Sequence, residues 1–228
     1  TLREQIGQGA FLAALSGFRG VIADILSLQA NCAWENTQWS RVIFLYNQIT
    51  TLQPRLTLSW EMGAWYMAFD ASAAALRDRQ EIRFNADGLT MAGDPRPRQQ
   101  RLRESQEFIA IGRDFLERGT RNNPDRSVLY NRLGFVLMNK TNDHFAAYEA
   151  YSRAAELPDC MGYEKRFAAY ELSMVPGKEA AAYALLLRLY RMGEREHTPK
   201  LLLRLKEMEE KLAISPEQRV YKAPGKPQ

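Results

Sequence analysis

The chain has few of the side chains from which enzymes usually build catalytic or metal sites. Its 228 residues include 2 cysteines and 2 histidines. Cys32 and Cys160 form no CxxC or CxxH unit, and we interpret both as small buried hydrophobic residues. His144 and His197 have no HxxxH or HExxH spacing and fall at predicted turns between helices. No serine lies in a GxSxG elbow. These absences argue against an enzyme and against a bound metal or other cofactor.

The chain also has little excess charge of either sign. The chain has 31 Lys and Arg against 27 Asp and Glu, a formal net charge of +4. This excess is much weaker than the concentrated basic surface of a dedicated nucleic-acid binder. The basic run Arg96, Arg98, Arg101 and Arg103 contains no aromatic residue for base stacking, and Glu104 follows it directly. We interpret the run as a solvated helix start and expect no nucleic-acid partner.

The alternation of apolar and polar residues that marks a half-buried strand is nowhere sustained. Apolar residues instead recur every three or four positions from Phe18 to Leu212, with breaks at glycine, proline, asparagine and aspartate. This periodicity predicts an all-α fold. A pair of such helices cannot bury both of its apolar faces alone, which favours a repeat architecture in which neighbouring pairs stack.

The start of the chain is unusually apolar. Residues 9–28 are interrupted only by Arg19 and Asp24, which we expect to form an ion pair. Two charges argue against a spanning helix, which needs about 20 predominantly apolar residues. One interpretation is a buried first helix, which the 3.6-residue pattern favours. The other is the end of a membrane anchor that begins before Thr1, with residues 1–17 as its remnant. The apolar face of the first helix is Phe18, Ile22, Ile25 and Leu28.

About four helical pairs appear when the prolines are aligned on a period of about 34 residues. Pro54 ends the first pair. The second pair is marked by Trp60, Gly63, Ala64 and Met67, and then by Gly112, Leu116, Gly119 and Pro124. The third and most regular pair has Tyr130, Leu133, Gly134 and Leu137 on its first helix, and Ala147, Tyr151, Ala154 and Pro158 on its second. Small residues such as Gly134 are expected where two helices cross closely. A weaker fourth pair extends from Tyr163 to Arg191.

Two segments depart from the period. The second pair is roughly 36 residues too long for a 34-residue repeat, which predicts an insertion over about 71–104. Turn signals occur in it at 85–88 and 93–97. After the fourth pair, Thr198 is a good N-cap for a last helix that ends at Leu212. The apolar face of that capping helix is Leu201, Leu205, Met208 and Leu212. The tail 213–228 is expected to be flexible unless something pins it.

With these features the chain resembles the tetratricopeptide-repeat superfamily over Phe18–Leu212. The resemblance implies a single domain over 18–212, an α-α superhelix of about four helical hairpins with an insertion in the second and a C-terminal capping helix. Residues 17–24 and 63–70 also look like the GGFRG-(hydrophobic)2-AD and GA-x-x-x-AYD segments of an uncharacterised bacterial group, with Phe69 in place of the tyrosine. A predicted membrane helix often precedes those proteins. The resemblance therefore favours attachment to the bacterial cell envelope over a cytoplasmic location, and it supplies no catalytic residue.

The superfamily also implies where a partner would bind, because the first helix of each pair lines the concave surface. The positions that we assign to partner binding are Asn31, Trp34, Glu61, Trp65, Asn131, Phe135, Asn139 and Lys165. Further groove positions are Asp24, Ser27, Phe69, Met138, Ala169 and Leu172. Asparagine can bind a peptide backbone through both its donor and its acceptor, and aromatic residues supply anchor area. Ser27 stands where the family's clamp for a C-terminal carboxylate has a lysine. For each position the alternative is packing against the next repeat or under the insertion.

We therefore expect a non-enzymatic scaffold that binds a protein or peptide in its concave groove. The alternative from another class is a small-molecule binder or enzyme with a pocket under the 71–104 insertion, where Trp60, Trp65 and Asp70 would converge. A third interpretation is that the chain's own tail or N-terminal helix fills the groove and leaves the convex face for assembly.

Overall fold

Helices make up most of the described chain. The computed structural model describes the backbone of residues 2–77, 81–85, 88–92 and 96–220, and the side chains of residues 17–77 and 96–220. The helices are α1 (Leu2–Glu35), α2 (Trp39–Leu52), α3 (Thr57–Trp65), α4 (Ser72–Leu76), α5 (Arg98–Asn122), α6 (Ser127–Val136), α7 (His144–Ala155), α8 (Glu164–Leu172), α9 (Glu179–Arg191) and α10 (Pro199–Lys211). A π-helical segment, Tyr66–Ala71, joins α3 to α4, a second one, Leu137–Thr141, follows α6, and Glu194–Glu196 forms a 3-10 turn. The prediction of a helical fold is confirmed.

Helices that follow one another in the chain pack together, including α2 with α3 and α7 with α8. α1 packs against α2, α3 and α4 against α5, α6 against α7, and α8 against α9, while α10 packs against α9. The chain divides into two compact units, Thr1–Pro124 and Asp125–Gln228, which we call unit 1 and unit 2. Each unit holds two of the pairs. The single domain over 18–212 stays a prediction.

The insertion contains a β-hairpin that the sequence reasoning missed. Strand β1 (Glu81–Asn85) pairs antiparallel with β2 (Gly88–Ala92), with Glu81 opposite Ala92 and Asn85 opposite Gly88. Each strand has five residues, and so short a run of alternating polar and apolar residues did not predict a strand. α4 continues to Leu76 and α5 begins at Arg98, so the segment between helices is shorter than the predicted 71–104. Residues 86–87 and 93–95, in the two predicted turns, lie outside the described residues.

In unit 1 the second pair is held together by close approach at glycines. A Cβ atom placed on Gly112 of α5 would lie 2.7 Å from the Ala68 Cβ and 2.8 Å from the Ala64 carbonyl oxygen. A Cβ on Gly119 would lie 3.0 Å from the Cβ of Trp60, a buried residue. The missing side chains let α5 lie directly against α3 and the π-helical segment that follows it. These are the small residues that the repeat pattern placed on the second helix.

Unit 2 follows the same rule. A Cβ on Gly134 of α6 would lie 2.9 Å from the ring of Tyr151 on α7, so the predicted close crossing of the third pair is confirmed. Ala147, Tyr151 and Ala154 are all buried. In the capping helix the Thr198 hydroxyl accepts a hydrogen bond from the backbone N–H of Leu201 at 3.3 Å, with Pro199 in the first turn, as predicted. The face Leu201, Leu205 and Met208 is fully buried.

The first helix differs from its prediction in which face it buries. Phe18, Ile22, Ile25 and Leu28 were expected in the core, but each is between 44% and 67% exposed. Among the described side chains of α1, from residue 17 on, the buried ones are Ala23, Ala30 and Ala33. Alanine lets a neighbouring helix approach closely, so this part of α1 packs through small residues and leaves the four predicted core residues exposed. Within the described residues no helix combines the length and apolar content needed to cross a bilayer.

Two smaller expectations are also corrected. Cys32 is exposed and Cys160 is half-buried, so neither is a core residue. Arg19 and Asp24 are both exposed, and within the described side chains they form no ion pair. Five residues separate them, which places their side chains on different sides of a helix, where only residues three or four apart meet.

The described start of the tail is attached to the capping helix. The backbone N–H of Val220 donates a 2.7 Å hydrogen bond to Oε1 of Glu209, a fully buried residue of α10. The Tyr183 hydroxyl donates to the same oxygen at 3.3 Å. Glu209 thus ties the tail to α10 at Val220. Residues 221–228 lie outside the described residues.

Candidate functional site

Trp34, at the end of α1, is a surface residue held in a fixed position. Its ring stacks on Tyr66 with centroids 5.3 Å apart and an interplanar angle of 28°. Its Nε1 donates a 2.9 Å hydrogen bond to Oδ2 of Asp70. The side chain is nonetheless 37% exposed. Two residues of the π-helical segment Tyr66–Ala71 therefore fix a tryptophan of α1 that solvent still reaches.

The π-helical segment Tyr66–Ala71 supplies both contacts to Trp34. π-Helical turns are uncommon and often mark functional positions. Tyr66 is buried, with its ring edge-on to that of Tyr46 at 5.7 Å. Burial raises the pKa of both tyrosines, so both phenols stay protonated at neutral pH. The Tyr66 hydroxyl can then donate to Oδ1 of Asn31, at 3.5 Å.

A second aromatic pair lies next in the chain. Trp65 stacks on Phe69, four residues later, with centroids 4.3 Å apart and an interplanar angle of 19°. Trp65 is 42% exposed and Phe69 is half-buried. Stacking against a neighbour restricts the rotamers of an exposed tryptophan, so its orientation is largely set before any partner arrives.

We name the six residues of these two pairs and their polar contacts the aromatic cluster. Its members are Asn31, Trp34, Trp65, Tyr66, Phe69 and Asp70. Three belong to the predicted partner-binding set and Phe69 to the further groove positions. Tyr66 was missed as a site residue and Asp70 was named only for the alternative pocket under the insertion, although both lie in the 63–70 segment that the sequence had marked. Glu61, also predicted, is half-buried, and the Ser27 hydroxyl bonds to the carbonyl of Ala23 in its own helix.

The predicted binding residues of unit 2 fall in more varied places. Asn131 is buried, and its Nδ2 donates to Oε1 of Glu164 at 3.2 Å, so it follows the packing alternative. Asn139 is exposed, but its Nδ2 donates to the Phe135 carbonyl of its own helix at 2.8 Å. Phe135 and Met138 are half-buried, and Ala169 and Leu172 are buried. The structure does not form a polar binding row from these positions.

Lys165, the last predicted residue, lies at a cleft of unit 2. The cleft has a volume of about 330 Å³ and is formed by α7, α8 and α9. Its two cations are Lys165 and Arg188, both exposed. Glu156 lies at the same cleft, but it is paired with Arg153 at 2.9 Å. The rest of the lining is largely apolar, including Leu185, Leu189 and Met192.

A cavity of about 310 Å³ lies beside the insertion in unit 1. It is lined by Trp39, Ala75, Arg96, Glu104, Glu107, Phe108 and Ile111. Trp60, Trp65 and Asp70, expected to converge there, do not: Trp60 is buried with its Nε1 donating to the Pro54 carbonyl, and Asp70 accepts from Trp34. Arg96 is bound to Glu104 and to the Ala75 carbonyl at the end of α4. The Arg96 side chain of this cavity, held by Glu104, therefore caps the C-terminal end of α4.

The histidines serve in connections between helices. His144, the first residue of α7, places Nδ1 2.7 Å from Oε2 of the buried Glu171 on α8. His197 stacks on Tyr190 at 4.1 Å and its Nε2 lies 2.9 Å from the Tyr190 carbonyl oxygen. Across the described side chains, no group of three or more His, Cys, Asp and Glu residues could hold a metal ion.

Comparison with protein-family models, with curated proteins and with solved structures finds no match to this chain.

Proposed function

We propose that the chain is a non-enzymatic binding module that holds a protein or peptide partner on the aromatic cluster of unit 1. The observation that carries the proposal is a pair of solvent-exposed tryptophans, Trp34 and Trp65, each fixed by contacts within the fold. Tryptophan is enriched among the few residues that dominate the free energy of protein association. A tryptophan that is already ordered loses little rotamer entropy when a partner covers it.

The polar members of the cluster add directional contacts. Tyr66 donates to Oδ1 of Asn31, which orients the amide group. The Nδ2 of Asn31 has no protein acceptor within the described part of the chain and is left to donate to a backbone carbonyl of a bound segment. Asp70 is held by the Trp34 indole, so its carboxylate can accept a further hydrogen bond without moving. The exposed rings of Trp34 and Trp65, with the Asn31 donor and the Asp70 acceptor beside them, suit an extended peptide or one face of a partner helix.

The architectural part of the proposal is a tetratricopeptide-like superhelix tethered at a bacterial envelope. Four helical pairs and a terminal amphipathic helix within the described residues support the repeat architecture. The 63–70 segment shared in sequence with the uncharacterised bacterial group contributes four members of the aromatic cluster, Trp65, Tyr66, Phe69 and Asp70. In this proposal the segment would supply most of the partner-binding surface.

Affinity capture with the full chain tests the proposal. Wild-type protein, Trp34→Ala and Trp65→Ala would be immobilised and exposed to a bacterial lysate, and the retained proteins identified and titrated. Phe44→Ala is the matched control, because Phe44 is also aromatic, 60% exposed and in unit 1, but lies on α2. We expect each tryptophan variant to weaken binding about 30-fold, corresponding to about 2 kcal/mol for a central contact residue. Phe44→Ala should bind as wild type does.

Circular dichroism separates loss of binding from loss of fold, since each variant must keep the helical spectrum and the unfolding midpoint close to wild type. Equal retention of the captured partner by wild type, Trp34→Ala and Trp65→Ala would refute the proposal.

A further inference from the structure

The exposed face of α1 is the largest row of apolar side chains on one described helix that solvent reaches. Its members, which we name the α1 seam, are Phe18 (58% exposed), Val21 (54%), Ile22 (44%), Ile25 (51%) and Leu28 (67%). They recur at spacings of three and four, so they lie along one side of the helix. The opposite side is the one that α1 buries through Ala23, Ala30 and Ala33.

Two other helices, α3 and α8, each pack against the helix that precedes them as well as a later one. α3 packs against α2 as well as against α5, and α8 packs against α7 as well as against α9. Within the described residues, α1 precedes every other element and packs against α2. Among the described residues, the seam has the composition of a helix–helix contact, yet its five side chains are exposed to solvent.

The seam has the spacing of a coiled-coil contact. Phe18, Ile22 and Ile25 follow one another at intervals of four and three residues, and the sequence extends the same intervals back to Leu15 and Phe11. This is the repeat by which two helices interlock their side chains. α1 has 34 residues, which at about 1.5 Å per residue gives about 50 Å of helix. That length suits a long helix pair.

The area fits a second copy of the chain. With roughly 100 Å² exposed by each large side chain, the seam offers about 500 Å² per chain, at the upper end of patches on monomers. Two seams together would bury about 1,000 Å², the lower bound for a specific interface. The charges agree: residues 17–34 carry only Arg19 and Asp24, which sum to zero. Helices that bind anionic membranes are rich in lysine and arginine, which α1 is not over this range.

We propose that the α1 seam docks against the α1 seam of a second copy, so that the chain forms a homodimer through its first helix. The aromatic cluster stays accessible in such a dimer. Trp34 lies 16 residues after Phe18, which at 3.6 residues per turn places it about 160° around the helix from the start of the seam. The dimer would present two aromatic clusters, and a partner with two binding segments would gain avidity.

Sedimentation velocity of the full chain over a range of concentrations tests the inference. We expect wild-type protein to sediment with twice the monomer mass, and Ile25→Glu to sediment as a monomer at the same concentrations, because it would bury an unpaired carboxylate in the seam. Leu203→Glu is the matched control, since Leu203 is 53% exposed on α10, away from the seam in sequence and in unit 2. It should remain a dimer.

The variants alter exposed positions, so the helical content of a monomeric Ile25→Glu should match wild type by circular dichroism. A wild-type chain that stays monomeric at every concentration, or an Ile25→Glu chain that dimerises as wild type does, would overturn the proposal. A monomeric wild type that floats with phospholipid vesicles and loses this on Ile25→Glu would overturn it as well, because the seam would then face lipid. Partner capture by Trp65 does not depend on either result.

Discussion

Gly112→Ala is the sharpest test of how unit 1 is built. The added methyl carbon would lie 2.7 Å from the Ala68 Cβ, 2.8 Å from the Ala64 carbonyl oxygen and 2.8 Å from the Ala68 backbone nitrogen. Two of these three atoms belong to the backbone, so no side-chain rotation relieves the contact. α5 and the segment it crosses must move apart by several tenths of an ångström to reach ordinary van der Waals distance.

The expected magnitude combines two opposing effects. Overpacking of this kind costs about 1–3 kcal/mol. Alanine favours the helical conformation over glycine by about 1 kcal/mol, which offsets part of that loss. We expect a net loss of roughly 1–2 kcal/mol in the free energy of unfolding, which lowers the unfolding temperature by about 2–8 °C in a chain of this size.

Urea denaturation followed by circular dichroism provides the assay, with thermal unfolding as a second measurement. Gly17→Ala is the matched control: Gly17 is also inside a helix, is exposed, and has no atom within 4 Å of an added Cβ. It should stabilise the chain by up to about 1 kcal/mol. The two substitutions therefore have opposite signs. If Gly112→Ala stabilises the chain as much as Gly17→Ala does, the close crossing of α5 and the Tyr66–Ala71 segment is refuted.

Two further predictions concern titratable groups. His144→Ala leaves the buried Glu171 carboxylate without its partner and should lower the free energy of unfolding by about 1–3 kcal/mol. His144→Gln can still donate a hydrogen bond to Glu171 and should lower it by less. Equal losses for the two variants in urea titrations would contradict this. Burial raises the pKa of Tyr46 and Tyr66, so the unfolded chain releases these protons more readily above about pH 10, and the free energy of unfolding should fall as pH rises past that value. Tyr46→Phe should flatten the fall; an unchanged slope in urea titrations at several alkaline pH values would count against it.

Local patterns predicted the helices because the information lies within a few residues of each feature. Apolar spacing and prolines marked the helices, the Gly134 position predicted the contact with Tyr151, and Thr198 predicted a cap. The 3.6-residue period also located the apolar face of α1. It could not tell whether another element covers that face, since Ile25 and a core isoleucine have the same spacing.

The site required contacts that span the sequence. Trp34 bonds to Asp70, 36 residues away, and Asn131 bonds to Glu164, 33 residues away. The first contact holds a surface residue and the second removes a polar residue from the surface, yet both positions followed from the same family rule. The two cases differ only in which residue of the neighbouring helix the side chain contacts. A single sequence does not reveal which residues of different helices are in contact.

The hydrogen bond between Trp34 and Asp70 also has a consequence for the order in which the chain is made. During synthesis the first helical pair emerges complete, but its tryptophan has neither acceptor nor stacking ring until Tyr66–Ala71 has followed. That segment in turn needs α5, because Ala64 and Ala68 pack against Gly112. The aromatic cluster therefore belongs to two consecutive pairs and not to either alone. A truncated chain that ends before Arg98 carries every residue of the cluster and lacks the helix that supports it.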